Sequence, residues 1–161
     1  MEVYSQAELL GRAEGLTEED LLILRTTALL KDTGYLFDYH SAVERSAEFA
    51  RNELPRFGYS EEQVRQVADL LLASPASSSQ PSLLEKIMYD AETLYYGRID
   101  FIALAENQYQ ELYRHGKVSG KTDWKKQQIL LLESHAYYTP TARRLCEISK
   151  EEQIRLLERV V

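Results

Sequence analysis

A chain of 161 residues, 44% of them apolar, is long enough to bury a core without disulfides or a structural metal, and its length predicts a single domain over 1–161. Nineteen Lys and Arg stand against 26 Asp and Glu, a net charge of −7 with the bases scattered among acids, which argues against a nucleic-acid or anionic-membrane surface. The lone Cys146 excludes an internal disulfide framework and a cysteine zinc site, and there is neither a signal-peptide pattern nor an apolar run near the ~20 residues of a membrane span, so a reducing cytoplasm is the expected setting.

Apolar residues recur at helical spacing from end to end, and no stretch alternates with period two. The pattern predicts helices over 3–14, 17–31, 42–56, 60–73, 82–96, 98–115, 121–137, 140–147 and 149–160. Thr17 before Glu18-Glu19-Asp20 reads as an N-cap, and Ser60-Glu61-Glu62-Gln63 as a capping box. Gly15, Gly34, Gly58, Gly97 and Gly116 each follow a periodic segment, as left-handed helix terminators do. Ser74 to Pro81 is a low-complexity loop between two helices.

Periodicity also aims particular charges. Leu83, Ile87, Asp90 and Leu94 share a helical stripe, so Asp90 points inward; Leu21, Leu24, Ala28 and Lys31 share another, so Lys31 points inward where the helix reaches it. Read locally, Lys31 and Asp32 also suit a helix end, the lysine complementing the negative pole and the aspartate opening a turn. His135 falls in line with Trp124, Gln128, Leu131 and Leu132, as a packed, hydrogen-bonded histidine would. His40 and His115 lie near helix ends without metal-ligand spacing, and many of the 11 tyrosines fall on amphipathic helices, where they serve core margins or interfaces.

Six phrases in order resemble the small bacterial HD-domain proteins described as metal-dependent phosphohydrolases. They run over Ala28–Tyr35, Glu44–Ala50, Leu54–Tyr59, Leu84–Glu92, Gly97–Phe101 and Glu133–Leu145. The resemblance implies an all-α, HD-domain-like helical bundle and a divalent transition metal held by His and Asp, which activates water against phosphorus. This sequence departs from that pattern at most ligands. The phrase with the first His would lie before Met1, Lys31 replaces the His of the His-Asp pair, and Ala42 stands where a further His is frequent, with His40 two positions away. Asp32 and Asp90 remain as matching metal ligands, with Glu92 in place of a later Asp. Glu92, Lys86 and Arg98 are secondary pocket candidates, and Arg143-Arg144 resembles a feature that presents cations to phosphate, though solvated or salt-bridged arginines are the simpler reading.

Two oxygen ligands do not hold a transition metal tightly. The expectation is therefore a degenerate, non-catalytic HD domain with a binding or regulatory role and no cofactor, in which the Lys31 ammonium takes the place of the metal and bridges Asp32 and Asp90. The alternative is an active enzyme on a nucleotide or other phosphomonoester, loaded with a divalent transition metal. A partner-dependent role is the third reading. Candidate partners are a small phosphorylated ligand and a second copy of the chain, with nucleic acid and membrane excluded.

Overall fold

The computed structural model describes residues 2–73 and 80–159, and over these the chain is all-α, with nine α-helices and no strand. The loop expected from Ser74 lies, through Ser79, outside the described residues. No helix among the described residues is long and apolar enough to cross a membrane. The chain divides into two compact units, Met1–Glu92 and Thr93–Val161.

In the first unit, α1 (Glu2–Ala13) and α2 (Glu18–Leu30) form a hairpin. Gly15 adopts φ +79°, and the Leu16 N–H donates to the Gly11 carbonyl at 3.0 Å. Thr17 caps α2 by accepting the Asp20 N–H at 3.1 Å, while three acids occupy the first turn at the positive pole. Next come α3 (Ala42–Glu53) and α4 (Glu61–Leu72), which pack on each other. The expected capping box is present: Ser60 Oγ accepts the Gln63 N–H and Gln63 Oε1 accepts the Ser60 N–H. The helix expected to reach 56 stops at Glu53 and tightens into a 3-10 turn, Leu54–Phe57, because Pro55 has no N–H to continue the ladder. α5 (Leu83–Thr93) buries Ile87, Met88, Asp90 and Ala91.

Two of the five punctuating glycines serve a purpose other than the expected one. Gly15, Gly58 and Gly116 have positive φ, but Gly34 and Gly97 do not. A Cβ on Gly34 would lie 1.7 Å from the Ala42 carbonyl oxygen, and one on Gly97 would lie 2.7 Å from Cys146 Sγ. Close approach, not a left-handed backbone, requires glycine at both sites.

The second unit contains α6 (Phe101–Arg114), α7 (Lys121–Ser134), α8 (Pro140–Leu145) and α9 (Lys150–Arg159), preceded by a 3-10 turn at Leu94–Gly97. Phe101, Ala105, Tyr109, Val118, Trp124, Leu132 and Leu157 form its core. The helix expected to run to 137 ends at Ser134, whose hydroxyl bonds back to the Leu130 and Leu131 carbonyls, and His135 is extended at φ −73°, ψ 140°. Gln153, fully buried, donates from Nε2 to the Arg98 carbonyl at 2.6 Å.

Gly34→Ala is expected to cost about 3 kcal/mol, because the added methyl meets backbone with no side chain free to yield. The shift in the urea unfolding midpoint measures this, with Gly58→Ala, which meets nothing within 4 Å but sits at φ +83°, as the milder reference.

Candidate functional site

The first unit holds a cavity of about 340 Å³, at the small end of ligand pockets. Lys31 and Asp32, just past the end of α2, form one wall with Thr27 and Tyr35; the last turn of α4, Leu70 to Leu72, forms another. Glu85, Met88, Tyr89 and Glu92 of α5 complete it with Val43 of α3.

Backbone geometry aims Lys31 at this space. It keeps a helical conformation (φ −52°, ψ −34°) as the cap of α2, its N–H donating to the Thr27 carbonyl at 2.9 Å. The turn that follows is fastened from α3 by Ser46, fully buried, whose Oγ donates to the Lys31 carbonyl at 2.9 Å and accepts the Gly34 N–H at 2.8 Å. Lys31 Nζ then reaches Asp32 Oδ1 at 2.9 Å; the lysine side chain is 24% exposed and the aspartate 67%, so one partner is mostly covered and the other wet.

Burial opposes the charge on Lys31, but Glu92 and then the hydrogen-bonded Asp32 outweigh it, and its pKa lies above the ordinary lysine value. It stays an ammonium at any physiological pH. Glu92 moves the opposite way to a salt-bridged acid: burial raises its pKa, with Lys31 pulling it down and Asp32 pushing it up. The two shifts describe one arrangement, a mostly covered cation facing two exposed carboxylates.

The expected site residues separate. Lys31, Asp32 and Glu92 come together on the cavity wall. Asp90 is fully buried on α5, as its stripe predicts, but does not line the cavity; the carboxylates that act on Lys31 are Glu92 and Asp32. Lys86 is half-buried and also off the lining. Arg98 lies in the second unit, forked onto Asp100 at 2.8 and 2.6 Å. His40 and His115 are exposed. Tyr89 is one of the tyrosines expected on an amphipathic helix; Ser46 and the cavity's Tyr35 and Glu85 were not singled out from sequence, although a serine among Ala42, Ala47 and Ala50 on a buried helix face was a usable signal.

Among the described residues no group of three or more His, Cys, Asp or Glu is arranged to hold a metal ion. The cavity residues do not fit one either: the space beside Asp32 is taken by an ammonium, which donates and has no lone pair to offer. The chain matches no family model, no curated protein and no solved structure.

In the second unit His135 is a packed histidine, 6% exposed. Its Nε2 lies 3.0 Å from Thr93 Oγ1, and Tyr137 and Tyr96 stand edge-on to the ring at 4.4 and 5.0 Å. Burial, and then the nearby Lys150, lower its pKa to about 4. Arg143 and Arg144 bind the chain's own Tyr137 and Tyr138 carbonyls and Thr141 hydroxyl instead of presenting a phosphate clamp.

Two outcomes follow. Lys31→Met is expected to raise the Glu92 pKa further, since the cation that lowers it is gone; a carbon-13 titration of the Glu92 carboxyl reads this. For His135 the unfolded chain takes up the proton near pH 6.5 and the folded chain only near 4. Its contribution to stability is therefore complete above about 6.5 and lost as the pH falls toward 4. Urea midpoints across pH 4–7 should decline less steeply in His135→Gln than in the wild type.

Proposed function

We propose that this chain is a degenerate relative of the HD-type phosphohydrolases, a non-catalytic cytoplasmic domain whose remaining activity is binding at the Lys31 cavity. The observation that carries this reading is the ion pair between Lys31 and Asp32 at 2.9 Å, at the position where the family's phrase has its His-Asp metal pair. An ammonium whose pKa is raised cannot be a metal ligand, and it supplies one positive charge where a divalent ion would supply two. Such a substitution keeps the helix ends together and removes the Lewis acid that would lower the pKa of water.

Asp90 supports the same reading from another side. A buried carboxylate on an apolar stripe is costly unless partnered, and its retention on α5 fits a scaffold inherited from a site with more charge in it. Neither Gly34 nor Gly97, each within one of the scaffold phrases, leaves room for a Cβ, which is consistent with a fold kept while its chemistry changed.

The test is metal analysis of the purified full chain, followed by hydrolysis of p-nitrophenyl phosphate with added Mn²⁺, Co²⁺ or Ni²⁺. No stoichiometric metal and no turnover above the protein-free rate are expected. Stoichiometric metal together with turnover abolished by Asp90→Ala would overturn the reading in favour of an active phosphohydrolase.

A further inference from the structure

Three α-helices bring their C-terminal ends to the cavity of the first unit: Lys31 and Asp32 follow α2, Leu70 to Leu72 are the last residues of α4, and Glu92 is in the last turn of α5. The C-terminus of a helix carries about half a negative charge and favours a cation. None of the three helices has a basic residue in its last turn. Lys31 caps α2, but the sequence after α4, from Ala73 to Ser82, contains no Lys or Arg.

The side chains add to this field. Asp32, Glu85 and Glu92 line the cavity against the single Lys31, a formal balance of three negative charges to one positive. Lys31 is already hydrogen-bonded to Asp32, and Glu85 accepts the Ser82 N–H at 2.6 Å as a helix cap, whereas Glu92, exposed in the last turn of α5, lines the cavity and acts on Lys31 through its charge. Val43, Leu71 and Met88 supply apolar wall and Tyr35 and Tyr89 supply ring edges or faces, surfaces suited to a carbon skeleton and to cation–π contact. A phosphate would meet a net negative lining with its one cation already engaged.

We propose that this cavity binds a small organic cation, a primary amine or guanidine on a short apolar or aromatic body. Its charged head sits between Glu92 and the C-terminal end of α4, and its body lies against Val43 and Met88. The proposal rests on the binding role given above and names the ligand class for it. Lys31 then sets the selectivity: it neutralises Asp32, so that a singly charged ligand is accommodated and a second cationic head is repelled.

The test is a nitrogen-15 NMR titration of the full chain with phenethylamine, alongside 2-phenylethanol as the neutral isostere and inorganic phosphate as the anion. Saturable shifts are expected from phenethylamine at the amides of Leu71, Met88 and Glu92, with none from the alcohol or phosphate. Glu92→Gln is expected to weaken the amine about tenfold, the effect of losing one charge-assisted hydrogen bond. Asp32→Asn, at an exposed position that does not risk the fold, should weaken it as well by leaving the Lys31 charge uncompensated.

Absence of a saturable shift from the amine, equal binding of amine and alcohol, saturable phosphate binding at those amides, or an amine affinity unchanged in Asp32→Asn would each overturn the proposal. Failure of the non-catalytic reading is seen separately, as metal content and phosphatase turnover. A chain that is metal-free and inactive yet ignores phenethylamine loses only the ligand class.

Discussion

Ser46 exchanges one hydrogen bond in each direction with the turn that follows α2, and on that exchange the arrangement of the first unit's cavity depends. The chain passes from α2 to α3 through Lys31 to Ser41, and on the way it lays Gly34 directly on the Ala42 carbonyl. That contact admits no side chain at 34. With Gly34 seated, Ser46 can hold both the Lys31 carbonyl and the Gly34 N–H, leaving Lys31 little freedom but to extend along the cavity wall. A hydroxyl with neither backbone partner would be a buried polar group without compensation; here it is satisfied on both sides.

The electrostatic character of the cavity follows from this placement. A lysine held at the end of α2 complements that helix's negative pole while facing Asp32 and Glu92, so one side chain answers to three sources of negative potential. Asp32 is wet and held by Lys31, while Glu92, itself exposed, resists ionisation more than a free glutamate because the protein around it disfavours the charge.

Much of this was legible in the sequence, and the misses share a cause. Helix existence followed from the 3.6-residue pattern, and starts marked by Thr17 and Ser60 appeared as expected because capping is decided within four residues. Helix ends were less legible. Pro55 was a local signal that tightened the end of α3, but α7 stops at Ser134 because His135 turns to meet Thr93, Tyr96 and Tyr137, a contact 42 residues away in sequence for Thr93. Asp90 was correctly aimed inward by its stripe, yet periodicity could not tell a core carboxylate from one that faces a cavity. Glu92, two positions on and off that stripe, is the one that reaches it. Glycines carried the same ambiguity: sequence position alone does not separate a left-handed turn at Gly58 from a zero-clearance contact at Gly34.

Gly97 offers a last consequence of close packing. Its carbonyl accepts the N–H groups of both Glu147 and Ile148 at 2.9 Å, and Cys146 lies so near that no Cβ fits between. The Cys146 thiol donates to the Ile148 carbonyl at 3.1 Å, and burial holds its pKa above the ordinary value. A thiol kept protonated and wedged against backbone is a poor nucleophile. Alkylating reagents therefore meet this partly exposed thiol slowly while the segment before α9 stays seated and faster when it lifts away, which makes the chain's single cysteine a built-in reporter of local opening in the second unit.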